Sequence, residues 1–130
     1  MLPLALIALG AGHAVAGSDR SRDSGRSADK FAWLEANGVT LFPQDGSGVT
    51  SSDQVLIASA AIEDTVPEVA RAAALGCHRL SRAELLSQLF NAANFSVAVG
   101  GTSGKSTVTG MIAWILTCAG HDPTVMNGAV

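Results

Sequence analysis

A glycine-rich run with a lysine and several hydroxyl side chains has the most specific chemistry in the chain; it reads Gly101-Thr102-Ser103-Gly104-Lys105-Ser106-Thr107. It lies between a segment of strand character and an apolar segment of helical character. Successive backbone N–H groups in such a loop point at an anion, and the positive end of the helix dipole adds to the attraction. Gly101 and Gly104 allow the backbone to approach a phosphate closely. The pattern predicts a phosphate-binding loop.

Two side chains of this loop have predicted roles towards a nucleotide. Lys105 would neutralise the β- and γ-phosphates, and the Ser106 hydroxyl would complete the oxygen shell of a Mg²⁺ ion shared with them. The strict phosphate-loop pattern has a glycine five positions before Gly104, where this chain has Val99. The alternative is a glycine-rich turn with a solvated lysine. The order of strand, glycines, lysine, serine and apolar helix favours the phosphate loop.

Three weaker candidates each follow a predicted strand. Asp19 stands where an acidic side chain can accept hydrogen bonds from ribose hydroxyls, or simply cap a helix. Ser59-Ala60-Ala61-Ile62 follows the most apolar strand, at the end where parallel sheets bind ligands, although an ordinary loop fits equally well. Arg82 could bind a phosphate near a helix N-terminus, or be a surface arginine beside a capping glutamate, Glu84.

Strands and helices alternate along the chain, which predicts an α/β fold with a mostly parallel sheet. Apolar runs and stop signals predict strands over residues 13–17, 39–42, 54–59, 77–80, 95–99 and 123–126, the third of them buried on both faces. Helices are predicted up to residue 9, up to 37, from about 65 to 76, from 81 to about 92, and up to 120. Residues 18–29 and 43–53 are predicted loops.

The amino-acid composition excludes several classes of protein and of binding partner. The chain has 130 residues, of which 48% are hydrophobic and 15% charged, so it is not an extended disordered chain. A net charge of −3 and 5% aromatic residues disfavour nucleic-acid and anionic-membrane partners. Cys77 and Cys118 form no paired motif, which indicates a reducing, cytoplasmic compartment. The three histidines share no metal-ligand spacing.

The first residues resemble a secretory signal peptide. Residues 1–12 are apolar, and Ala14-Val15-Ala16 resembles a cleavage site, but no lysine or arginine precedes the run. The run is also shorter than the roughly 20 apolar residues that a membrane span needs. We therefore expect a folded helix here, with export as the alternative.

The order of these segments resembles the Mur ligase family. The likeness rests on Gly17-Ser18-Asp19, on Ser59 to Ile62 with Pro67-Glu68, on Arg82-Ala83-Glu84, and on the phosphate loop with Asp122-Pro123-Thr124. The middle segments are similar to the alanine-adding branch of the family. The chain departs from the family's usual pattern at two positions. Ser103 stands where the family usually has His or Asn, and Ser106 stands where the family usually has Thr.

The resemblance implies two domains. Residues 1–94 would be a Rossmann-like UDP-sugar-binding domain lacking its first strand, and residues 95–130 the start of a central ATP-binding phosphate-loop domain. It implies substrate-binding roles for Asp19, Ser59, Ala61, Ile62 and Arg82. It implies ATP and Mg²⁺ as cofactors, bound by residues 101–107 with Ser106 on the metal and Lys105 as the catalytic residue.

The resemblance also implies a reaction. UDP-N-acetylmuramate and L-alanine, or a peptide, would be joined in an ATP-dependent amide synthesis for peptidoglycan, by way of an acyl phosphate. We expect the 130-residue chain not to carry out this ligation alone. Two other functions stay open: an unrelated phosphate-loop nucleotide-binding protein, and a non-catalytic Rossmann-like module whose loop holds another anion.

Overall fold

The chain divides into two units, Met1–Phe90 (unit 1) and Asn91–Val130 (unit 2). The structure is a computed structural model that describes residues 2–127; the predicted domains also include residues 1 and 128–130, which lie outside the described residues.

The first half of unit 1 is a parallel pair of strands with helices packed on it. β1 (Ala16–Ser18) pairs with β2 (Thr40–Phe42), with Gly17 opposite Leu41. The helices of this half are α1 (Leu2–Gly10), α2 (Arg20–Asp23) and α3 (Ala28–Ala36). Its core is formed by Phe31, Leu34 and Val39, against which Leu2, Leu9, Val15 and Leu41 pack.

The second half of unit 1 repeats the arrangement. β3 (Val55–Ala58) pairs in parallel with β4 (His78–Ser81), and Ile57 lies opposite Leu80. The connecting helix is α4 (Pro67–Leu75), and α5 (Arg82–Ala92) follows β4 directly. The buried residues of this half are Ala58, Val69, Ala72 and Leu80.

Local signals explain where two of these helices begin and end. Pro67 is the first residue of α4, where its missing N–H costs nothing, and Gly76 ends that helix with φ 73°. At α5, the Ser81 N–H donates to Glu84 Oε2 at 2.7 Å, and the Glu84 N–H donates to Ser81 Oγ at 3.2 Å. This reciprocal pair confirms the predicted capping box.

The α/β class and the parallel pairing are confirmed, but one continuous sheet is not formed. Within residues 2–127 the strands form two separate two-stranded sheets, β1–β2 and β3–β4. The predicted burial of the third strand on both faces is wrong, because Val55 is 49% exposed. The predicted loop over residues 18–29 contains the short helix α2, which Asp19 caps through a hydrogen bond from the Ser21 N–H.

Unit 2 is dominated by one helix, α6 (Lys105–Cys118). The strands predicted over residues 95–99 and 123–126 are wrong: both segments are without strand pairing in the described part of the chain. A strand needs a hydrogen-bonded neighbour, and an apolar run by itself does not supply one. No helix among residues 2–127 is both long and apolar enough to cross a bilayer.

Candidate functional site

The glycine-rich loop of unit 2 leads directly into α6. Gly104 is the N-cap of this helix, with φ 76°, and Gly101 has φ 148°. Both angles lie in the region that favours glycine, so residues with a Cβ would strain the loop. The Val108 N–H donates to the Gly104 carbonyl at 2.9 Å, and the helix begins there. The N–H groups of the first turn therefore have no acceptor within the helix.

Lys105 lies across this loop. Its Nζ donates to the Gly101 carbonyl at 2.8 Å, so the ammonium group is held over the residues that precede the helix. The side chain is exposed, and only this one exposed hydrogen bond to a backbone oxygen would have to break for it to reach a phosphate. The loop thus joins a cation, free N–H groups and a helix dipole, which together attract an anion.

The chemistry of these donors fits the phosphates of a nucleotide. Thr102, Ser103 and Thr107 add exposed hydroxyl groups to the loop. Ser106 offers the hydroxyl expected on Mg²⁺, and its carbonyl accepts from Asn127 Nδ2 at 3.1 Å. Among residues 2–127, no group of three or more His, Cys, Asp and Glu side chains could hold a metal ion. The other ligands of Mg²⁺ would be phosphate oxygens and water.

The residues predicted for the UDP-sugar follow three strands of unit 1. Asp19 comes after β1, and its Oδ1 accepts from the Ser21 N–H at 2.7 Å, which is the capping role foreseen as its alternative. Ser59 is exposed after β3, in a turn where the Ile62 N–H donates to the Ser59 carbonyl at 3.1 Å. Ala61 in the same turn is exposed, and Arg82 is exposed at the first position of α5.

Within the described part of the chain, no hydrogen bond or ion pair joins these five residues to one another, so their grouping at one site stays a prediction. What they share is position, because each follows the carboxyl end of a parallel strand. Ligands of open parallel sheets bind outside those ends.

A contact that the sequence did not predict links the two strand pairs. Ser18 Oγ, on the last residue of β1, donates to Glu68 Oε1, in the first turn of α4, at 2.7 Å. The second oxygen, Glu68 Oε2, is buried and without a hydrogen-bond partner. The available signal was that Gly17-Ser18-Asp19 lie at the end of a predicted strand and that Pro67-Glu68 lie in the first turn of a predicted helix. It did not say that residues 50 positions apart would meet.

The family model described as "Mur ligase family, catalytic domain" matches residues 1–94. Three relatives are each described as a UDP-N-acetylmuramate–L-alanine ligase. The protein from Agathobacter rectalis is 38% identical over 92% of this chain and 25% of its own length. The protein from Acetivibrio thermocellus is 36% identical over 98% of this chain and 26% of its own. The protein from Acidobacterium capsulatum is 38% identical over 98% of this chain and 27% of its own.

The chain therefore spans about a quarter of the length of these relatives. No solved structure matches it. The family model covers well over half of the chain, and the relatives extend the likeness through the glycine-rich loop. On these grounds the chain belongs to the Mur ligase family.

Proposed function

We propose that this chain is part of an ATP-dependent ligase that joins L-alanine to UDP-N-acetylmuramate in peptidoglycan synthesis. The observation that carries the proposal is the likeness of nearly the whole chain to three relatives described as UDP-N-acetylmuramate–L-alanine ligases. The geometry of the glycine-rich loop supports it, because a ligase of this kind must hold the phosphates of ATP.

In this proposal unit 2 contributes to ATP binding. The N–H groups at the start of α6 hold phosphate oxygens, and Lys105 moves from the Gly101 carbonyl to the transferred phosphoryl group. Ser106 would hold Mg²⁺ through its hydroxyl, and the ion would offset phosphate charge when bound. An oxygen of the sugar's carboxylate bonds to the γ-phosphorus as ADP leaves, and the alanine nitrogen then bonds to the acyl carbon as phosphate leaves.

Unit 1 contributes to binding of the UDP-sugar. Asp19, Ser59, Ala61, Ile62 and Arg82 are the proposed contacts. Arg82 has an exposed guanidinium at a helix start, which suits a diphosphate, and Ile62 is a half-buried apolar side chain in the turn after β3.

Thermal shift of the purified chain tests the proposal. ATP with Mg²⁺ and UDP-N-acetylmuramate are expected to raise the unfolding midpoint separately, because they bind different units. Lys105→Ala should abolish the ATP shift and leave the UDP-sugar shift intact. Lys30→Ala is the matched control, because it removes the same charge from the chain's other lysine, in α3.

The pattern of shifts also separates the rival functions. An ATP shift with no response to the UDP-sugar would contradict the substrate-binding role proposed for unit 1. An anion response without Mg²⁺ dependence would indicate a non-catalytic binding module. Either result would overturn the proposal.

A further inference from the structure

A cavity of about 340 Å³ lies between α4 and the loop that joins β2 to β3. We call it the loop cavity. Its volume is at the small end of the roughly 300–1,000 Å³ that ligand pockets cover, so it suits a molecule of a few heavy atoms together with water. Its lining residues are Asp45, Gly46, Ser47, Val49, Thr50 and Arg71. None of them is among the residues proposed for ATP or for the UDP-sugar.

Hydrogen bonds and close packing fix the loop wall of this cavity. Gln54 Oε1 accepts from the Thr50 N–H at 2.6 Å, and Gln54 Nε2 donates to the Gly48 carbonyl at 3.1 Å. The loop also packs directly on α4. Gly46 is buried with φ 83°, and a Cβ at this position would lie 3.1 Å from the Pro67 carbonyl oxygen. A wall that is fixed before a ligand arrives loses little conformational freedom when the ligand binds.

One positive and one negative residue line the loop cavity. The positive residue is Arg71, whose Nε donates to the Val49 carbonyl at 3.4 Å. The negative residue is Asp45, whose Oδ1 accepts from the Ser47 N–H at 2.8 Å. Hydrogen bonds from the Ser47 side chain and N–H lower the pKa of Asp45, so this carboxyl is ionised at neutral pH. Among the residues that the structure describes, neither Arg71 nor Asp45 takes part in an ion pair.

Opposite charges that line one cavity without pairing leave room for a ligand that carries both charges. A simple anion would be attracted by Arg71 and repelled by Asp45, and a simple cation would meet the reverse. A zwitterion satisfies both side chains at once, because each of its ends can face the group of opposite sign. The smallest zwitterions common in cells are free α-amino acids, whose ammonium and carboxylate groups are attached to the same carbon. Val49 adds apolar lining for a small side chain.

We propose that the loop cavity binds a free α-amino acid, whose carboxylate pairs with Arg71 and whose ammonium group pairs with Asp45. Both side chains are exposed, so solvent weakens the two pairs, and we expect a dissociation constant on the order of 1 mM. The cavity lies in unit 1 and shares no residue with the proposed ATP and UDP-sugar sites. Failure of ATP or UDP-sugar binding therefore leaves the proposal standing.

An NMR titration of the intact, isotope-labelled 130-residue chain at neutral pH tests this proposal with L-alanine as the probe. We expect saturable shifts of the Gly46, Ser47 and Thr50 amide signals, because these residues line the cavity. L-Lactate has a hydroxyl in place of the ammonium group, and isopropylamine has a methyl group in place of the carboxylate, so each is the probe without one charge.

Both analogues should bind at least about fivefold more weakly than L-alanine, a difference of about 1 kcal/mol. L-Lactate that binds as tightly as L-alanine would show a site for anions alone, and isopropylamine that does so would show a site for cations alone. Either result, or the lack of a saturable shift of these amides with L-alanine, would overturn the proposal.

Arg71→Gln and Asp45→Asn test the two charges separately. Each should weaken L-alanine binding several-fold, because hydrogen bonds between charged groups are stronger than those between neutral ones. Asp45→Asn should also reduce the preference for L-alanine over L-lactate, and Arg71→Gln the preference for L-alanine over isopropylamine. Arg26→Gln and Asp29→Asn are the matched controls, because both remove an exposed charge outside the cavity lining.

Circular dichroism establishes whether each variant is folded. Unchanged affinity for L-alanine in folded Arg71→Gln or folded Asp45→Asn would contradict the proposed pairs. The comparison of L-alanine with its two analogues needs no variant, so it decides the proposal even where a substitution unfolds the chain.

Discussion

At the scale of single residues, Gly104 is the position where backbone conformation and proposed chemistry coincide. Its φ of 76° would cost a residue with a Cβ about 1–2 kcal/mol. Gly104→Ala should therefore distort the start of α6 and abolish the thermal shift caused by ATP and Mg²⁺. Gly100→Ala is the control, because Gly100 has no positive φ and its Cβ would meet open space. An ATP response retained by Gly104→Ala would contradict the role given to this loop.

The capping box of α5 gives a second prediction at this scale. Hydrogen bonds from the Ser81 N–H and hydroxyl lower the pKa of Glu84, with a smaller contribution from the charge of His78. A carboxyl whose pKa is lower folded than unfolded stabilises the protein above its unfolded pKa, near 4.5, and loses that effect as the pH falls through the folded value.

Glu84→Gln should therefore lower the unfolding midpoint at neutral pH, with a difference from the wild type that shrinks as the pH falls below about 4. Thermal unfolding followed by circular dichroism at several pH values measures this difference. Glu63→Gln should show little pH-dependent difference in unfolding midpoint from the wild type, because Glu63 is not part of a cap. A difference independent of pH would mean that the Glu84 charge plays no part.

Residue types and local spacing predict features whose residues are neighbours in sequence; the capping box is confirmed, and the phosphate-binding role of the glycine-rich loop stays a prediction. The lysine, serine and glycines of the phosphate loop, and the Ser81–Glu84 box, are separated by a few positions, so the chain's own helices set their geometry. The Ser18–Glu68 contact joins residues 50 positions apart, and it depends on how the two strand pairs meet. No local pattern carries that information.

At the scale of elements, helices were predicted more accurately than strands for a physical reason. A helix satisfies its backbone within its own segment, so Pro67 and Gly76 fix the ends of α4 wherever it packs. A strand depends on a neighbour. The segment over residues 95–99 is apolar, but Phe95 is 78% exposed, and it pairs with no described strand. β3 and β4 pair with each other, which confirms the strands predicted over residues 54–59 and 77–80.

The helix α6 leads to a prediction about association. Met111, Trp114 and Ile115 are 58%, 71% and 63% exposed, an apolar surface of the kind that drives contact between molecules. We expect light scattering to show oligomers whose proportion rises with protein concentration. Ile115→Glu should reduce them strongly. Thr117→Glu, an added charge at an exposed polar position of the same helix, should reduce them less.

A monomer at high concentration would contradict this prediction. So would an equal effect of the two glutamate substitutions, because net charge rather than the apolar surface would then control association.

At the scale of the whole molecule, catalysis requires that the reacting groups be held in fixed positions relative to one another. Phosphoryl transfer relies on positioning and electrostatic stabilisation, with little chemistry supplied by any one side chain. This chain spans about a quarter of the length of its ligase relatives. Binding of one substrate can survive in a single unit, whereas the reaction needs carboxylate, ATP and amine held together.

We therefore expect the purified 130-residue chain to release no ADP above background in the presence of ATP, Mg²⁺, UDP-N-acetylmuramate and L-alanine. A coupled assay for ADP measures this, with Lys105→Ala defining the background, because that variant lacks the cation proposed to stabilise the transferred phosphoryl group. The thermal shifts with ATP and with UDP-sugar, measured on the same preparation, show whether each unit is competent to bind. ADP release that requires both the sugar and alanine, and that Lys105→Ala removes, would show that this length of chain is sufficient for the reaction.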